Sequence, residues 1–140
     1  MKLRQLDHVA LHVADVERYP EWQRAAGIRS VDRDDKEPLA AGSRFRMERL
    51  TQGHPGTLEA TVTGFEPGRR FAFRARDSAG FDVETEISLA AEGAGTRLTW
   101  RFTMTTPGLL RFAGSMLGRE IRRAAEADFA TFKARLEQVA

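Results

Sequence analysis

Between Gly42 and Met104 apolar and polar residues alternate with a period of two, and after Pro107-Gly108 the period becomes 3.6. Successive side chains of a strand point to opposite faces, so the first pattern demands antiparallel strands with one buried face. The second demands one long amphipathic helix. A sheet with one apolar face and a helix with one apolar stripe must cover each other. Few other folds satisfy both patterns.

Phe45 and Met47 oppose Arg44, Arg46 and Glu48, and Gln52 to Gly56 is expected to turn the chain. Leu58, Ala60 and Val62 then oppose Glu59, Thr61 and Thr63 up to the turn Glu66-Pro67-Gly68. Phe71 and Phe73 face away from Arg70, Ala72, Arg74 and Arg76, and Asp77-Ser78-Ala79-Gly80 is expected as the next reversal. Phe81, Val83, Thr85, Ile87 and Leu89 share a face against Asp82, Glu84 and Glu86. After Glu92-Gly93-Ala94-Gly95, Leu98, Trp100, Phe102 and Met104 share a face against Arg97 and Arg101. The helical stripe comprises Leu110, Leu117, Ile121, Ala125, Phe129, Phe132, Leu136 and Val139. Unbroken, that helix spans about 45 Å at 1.5 Å per residue. Gly114 and Gly118 weaken its first turns.

The first 41 residues are less decisive. Val9, Leu11 and Val13 alternate as in a strand, whereas Val9, Val13 and Val16 fit a helix with Asp7 as its N-cap. Residues 2–13 are therefore open between strand and helix. Tyr19-Pro20-Glu21-Trp22 marks a break, because proline disfavours a helical residue before it. Ile28 and Val31 suggest a short strand running into an exposed turn over residues 33–38.

At 140 residues, with no repeat or linker, the chain is expected to form a single domain over residues 1–140. The absence of cysteine excludes a disulfide framework, thiolate metal sites and a cysteine nucleophile. No apolar run is long enough for a membrane span and the polar start is no signal peptide, so a cytoplasmic protein is expected. The 22 basic and 20 acidic residues leave a net charge of +2, and they alternate along the strands without forming a basic run. Outer-face arginines then neighbour outer-face acids across hairpins, which accounts for the charge as cross-strand ion pairs and argues against a nucleic-acid partner.

The order of elements predicts an α+β fold, a curved antiparallel sheet gripping a long C-terminal helix, with short N-terminal helices. A strongly twisted sheet closes incompletely on one helix, which predicts a cavity between them. Several stretches carry a family resemblance: Val13-Ala14-Asp15-Val16-Glu17-Arg18-Tyr19-Pro20-Glu21-Trp22, Gly42-Ser43-Arg44-Phe45, Glu66-Pro67-Gly68-Arg69-Arg70, Gly95-Thr96-Arg97-Leu98-Thr99-Trp100, and the long final helix. Together they resemble the SRPBCC superfamily with its START-like helix-grip fold, and within it the polyketide cyclase/dehydrase and lipid-transport group. The resemblance runs from about Asp7 to Leu136 and contains no catalytic signature. It implies that Asp15, Tyr19, Pro20 and Trp22 shape the corner between the short helices, and that Gly95 and Thr96 belong to a hairpin. The departure lies at the start, where Met1 to Leu6 is short for the family's first strand. Either that strand is stunted, leaving a sheet edge open to a second copy in a homodimer, or residues 2–13 form it and the first helix is reduced. The family pattern favours a helix over Asp7 to Ala14.

The expected ligand-binding wall is Phe45, Met47, Leu58, Val62, Phe71, Phe73, Phe81, Val83, Thr85, Trp100 and Phe102, completed from the helix by Phe112, Met116 and Glu120. So apolar a set implies a hydrophobic small molecule such as a lipid, polyketide or isoprenoid, and no cofactor. Candidate catalytic groups are Glu120, Arg119, Tyr19 and Thr85, which would orient a flexible polyketide and assist proton transfer in an aromatase/cyclase or dehydratase. A third alternative is an interaction module associated with quinones, chaperones or ribosomes. His8 and His12, spaced i and i+4 with Asp15 nearby, have zinc-ligand spacing, and Leu6 to Asp15 alone resembles the first strand of glyoxalase-type proteins. Nothing downstream continues that layout, so the two histidines are expected at the core edge or in solvent, with no metal. Asp128, whose helical neighbours at three and four residues are not basic, is expected in solvent at the edge of the stripe.

Overall fold

A computed structural model describes residues 2–3, 13–51, 53–105 and 114–138. Seven strands run through the described chain: β1 (Lys2–Leu3), β2 (Ile28–Arg33), β3 (Arg44–Thr51), β4 (His54–Glu66), β5 (Arg70–Asp77), β6 (Asp82–Glu92) and β7 (Gly95–Thr105). They form one antiparallel sheet in the order β1-β7-β6-β5-β4-β3-β2, a meander closed at one edge by the first strand. A 3-10 helix, Val16–Glu21, packs beside β2, and the C-terminal helix α1 covers Gly114–Gln138.

The alternation seen in the sequence becomes a two-faced sheet. One row across the concave face is Phe45, Ala60, Ala75, Val83 and Met104, and the next is Val62, Phe73, Thr85 and Phe102. An irregularity between Val62 and Gly64 returns Phe65 to the concave side, opposite Phe71. On the convex face the expected ion pairs form across the ladder: Arg46 with Glu59 at 3.5 Å, Arg74 with Glu84 at 3.0 Å, and Arg76 with Asp82 at 3.9 Å. Arg70 reaches Glu86 diagonally at 3.0 Å. Exposed pairs of this kind contribute only about a few tenths of a kcal/mol each, so they serve solubility and register more than stability.

Two local expectations are corrected. Thr51 pairs with His54, so Pro55 and Gly56 are strand residues and not part of a turn, and the tight reversal uses Gly53 at φ +79°. Phe81 precedes β6 and is half-buried, accepting a hydrogen bond from the Asp77 N–H at 2.8 Å. The reversal expected over Asp77-Ser78-Ala79-Gly80 forms, with the Gly80 N–H donating to the Asp77 carbonyl at 2.8 Å, and Asp77 is also the buried last residue of β5. The helix is described over Gly114–Gln138, 25 residues or about 37 Å, and the earlier turns expected from Leu110 lie outside the described residues. Of the ambiguous N-terminal stretch, Lys2 and Leu3 pair with Arg97 and Thr96, and Val13-Ala14 is helical. Residues 4–12, with His8 and His12, lie outside the described residues.

Candidate functional site

The site is the concave wall and the elements that face it. Two groups of aromatic rings stand on this wall. Phe45, Phe73, Phe71 and Phe65 form a chain of ring contacts at 5.2, 5.7 and 6.0 Å across β3, β5 and β4. Trp100 and Phe102 of β7 lie 5.1 Å apart, and Trp100 meets Phe129 of α1 at 5.9 Å. Thr85 sits between the two groups, paired by register with Phe73 on one side and Phe102 on the other. It is 8% exposed, and among the described residues its hydroxyl has no hydrogen-bond partner. The wall is not uniformly covered: Phe65, Trp100, Phe102 and Met104 stay partly exposed, while Phe45, Val62 and Phe71 are buried.

The wall ends in an ion pair that sequence reasoning missed. Arg49 follows Phe45 and Met47 on the same face of β3, and Asp77 pairs with Leu58 on that face. Arg49 Nε donates to Asp77 Oδ2 at 2.5 Å and Nη2 to Oδ1 at 2.7 Å, a bidentate fork. The Ala79 N–H donates to the same carboxylate at 2.8 Å. Burial pushes the Asp77 carboxyl up, but the Arg49 hydrogen bonds, the Ala79 amide and the Arg49 charge outweigh it and hold it below the usual carboxylate range. Gly56, opposite Arg49, makes the geometry possible, because a Cβ there would lie 2.5 Å from Arg49 Cζ and Nη2. The signal was present as an arginine breaking an apolar row, yet only the register shows which acid meets it.

A second boundary is a corner built by Tyr19-Pro20-Glu21-Trp22. Trp22 contacts Tyr19 at 5.0 Å and, on α1, Phe132 at 4.5 Å and Phe129 at 5.5 Å. Tyr19 lies inside the corner at 1% exposure, the packing role that the resemblance implies for it, with its phenol donating to the Val13 carbonyl. Burial, reinforced by the Asp15 charge, raises its pKa far above the usual phenol value. Arg135 of α1 closes the corner from outside with an ion pair to Glu21.

Asp128 corrects another expectation. It is 4% exposed, not solvated, and its Oδ1 and Oδ2 accept from the N–H groups of Ala25 (2.8 Å) and Ala26 (3.1 Å). Burial raises its carboxyl above the usual range, with the two amide hydrogen bonds pulling the other way. A helical carboxylate thus ties α1 to the turn before β2, and sequence spacing along the helix held no sign of a partner so far away in the chain. Asp128→Ala leaves two amides without their acceptor, and a loss of about 1–2 kcal/mol is expected in urea denaturation. An unchanged midpoint would show that the tie does not hold the helix.

Of the helix-borne candidates, Arg119 is exposed, whereas Phe112 and the side chains of Met116 and Glu120 lie outside the described residues. Among the described residues no group of three or more His, Asp or Glu side chains could hold a metal ion, and no helix is long and apolar enough to cross a membrane.

Comparisons with known proteins agree with this architecture. A protein from Thermus thermophilus superposes with a TM-score of 0.77 at 16% identity, covering 100% of this chain and 95% of that one. The Zhui aromatase/cyclase from Streptomyces sp. R1128 superposes with a TM-score of 0.75 at 18% identity, covering 99% and 90%. A START superfamily protein from Mycobacterium smegmatis gives 0.72 at 16% identity, covering 100% and 95%. A search of curated proteins gives no match to the sequence. The family model for polyketide cyclase/dehydrase and lipid transport matches residues 5–137. With that match over nearly its whole length, and a sheet and helix arranged as in START proteins, the chain belongs to the polyketide cyclase/dehydrase and lipid transport family.

Proposed function

We propose that this domain binds a mainly hydrophobic small molecule between the concave face of the sheet and α1, without requiring catalysis. The observation that carries this reading is the incompletely covered wall. Phe65, Trp100, Phe102 and Met104 remain partly exposed on the side of the sheet that faces inward, whereas their outward neighbours Arg97 and Arg101 are exposed charges. Leaving large apolar side chains partly wet forgoes about 25 cal/mol per Å2 of burial, and a ligand would recover it. The ionisable groups at the end of the wall, Arg49 and Asp77, are locked to each other, which favours binding over proton transfer.

Titration with 1-anilinonaphthalene-8-sulfonate in a Trp22→Phe variant tests the reading, since Trp100 is then the remaining tryptophan. Saturable binding at one probe per chain, with quenching of Trp100 and displacement by an apolar competitor, is expected. Absence of saturable binding, together with native mass spectra free of any co-purifying small molecule, would count against it.

A further inference from the structure

We propose that the Thr85 hydroxyl is a specificity determinant that makes the cavity prefer ligands carrying a hydrogen-bonding oxygen over hydrocarbons of the same shape. The inference deepens the proposed binding function and rests on it. Every position around Thr85 on the concave face is apolar: Val83 and Ile87 along β6, Phe73 across on β5 and Phe102 across on β7. At 8% exposure the hydroxyl has little access to solvent, and no described group satisfies it. A buried hydroxyl without a partner is destabilising, and valine would fill the same branched shape and suit a strand equally well. The free protein is therefore less stable than it needs to be at this one position, the mark of a residue placed for a ligand.

The hydroxyl is both donor and acceptor, so a carbonyl or hydroxyl oxygen of a bound molecule would satisfy it. It lies between the Phe45-Phe73-Phe71-Phe65 rings and the Trp100-Phe102 pair. A flat apolar molecule seated against the partly exposed Trp100-Phe102 pair would bring an oxygen in its interior, and not at a charged end, to Thr85. The class of ligand that fits is an oxygenated aromatic or polycyclic compound with a neutral carbonyl or hydroxyl.

A matched pair of probes tests this: 2-acetylnaphthalene, a ketone, and 2-isopropylnaphthalene, its hydrocarbon counterpart. The wild-type protein is expected to bind both. In Thr85→Val the ketone should lose about fivefold or more in affinity, the cost of desolvating a carbonyl without a partner, while the hydrocarbon binds as before or better. Thr85→Ser, which keeps the hydroxyl, should keep the preference. Ligand-free Thr85→Val should melt on the order of a few degrees higher than wild type, which a merely structural hydroxyl would not produce. A ketone-to-hydrocarbon affinity ratio that is the same in wild type, Thr85→Ser and Thr85→Val overturns the role of Thr85 and leaves the cavity reading standing. Failure of the wild type to bind either probe overturns both.

Discussion

Asp77→Ala is expected to destabilise the protein by about 3 kcal/mol, one of the two largest single effects in the molecule. The substitution leaves Arg49 facing the concave wall at 16% side-chain exposure with no counter-charge, and it removes the acceptor of the Ala79 amide. Breaking a buried pair by removing one partner costs about 3–5 kcal/mol, and the residual solvent contact of Arg49 puts this case at the low end. A double variant, Arg49→Met with Asp77→Leu, should recover much of the loss, because neither charge then needs a partner. Equilibrium urea denaturation of the two single variants and the double variant checks this. If the losses of the two single variants simply add in the double, the fork is not the source of the stability.

The same pair sets an acid limit. The Asp77 carboxyl is held below its unfolded value, so the folded state favours the charged form. Its contribution is fully present above the unfolded pKa of about 3.9 and is lost as pH falls through the lower folded value. Wild-type stability should therefore drop below about pH 4 more steeply than that of Asp77→Ala. Parallel acid limbs in the two proteins would contradict the assignment.

Phe132→Ala is the second large effect, with an expected loss of about 3–5 kcal/mol. Phe132 is 2% exposed and its ring centroid lies 4.5 Å from that of Trp22, beneath the corner that Tyr19 secures. Truncation opens a cavity where the helix, the 3-10 turn and the sheet converge, and Asp128 one turn earlier keeps the surroundings from collapsing into it. Thermal unfolding should shift down by about 10 °C or more, with a change in the Trp22 emission of a Trp100→Phe background. A loss below about 1 kcal/mol would mean that α1 does not seat through this corner. The expected order, Phe132→Ala well above Asp128→Ala, also separates packing from hydrogen bonding as the main attachment of the helix.

Much of this was legible in the sequence for a physical reason. Strand alternation is local, so Phe45, Val62, Phe73, Val83 and Trp100 declared their face without knowledge of their neighbours, and the turn residues Gly68 and Gly93 declared where the meander reverses. The outer charges were predictable as pairs because hairpin register follows from turn position. Boundaries were harder. Pro55 and Gly56 carry turn chemistry yet lie in β4, where Pro55 faces Leu50 and Gly56 admits Arg49, a demand made by another strand. Phe81 continued a period-two pattern but stands just outside the ladder.

The sequence by itself determined the class of fold, the inward and outward faces, and the family, because these depend on periodicity and on short ordered motifs that survive without three-dimensional knowledge. Only the tertiary structure decided what each polar residue on the inner side does. Asp128 turned from a solvated edge residue into the anchor of α1, Tyr19 found the Val13 carbonyl as the partner that locks its corner, and Asp77 proved to be half of a buried fork as well as the first residue of its turn. Thr85 alone among these has no described partner. Hydrogen bonds and ion pairs act over about 3 Å, and the groups they join here stand up to 114 residues apart in the chain. No spacing rule along a helix or strand can reveal such partners, so their roles exist only once the chain has folded.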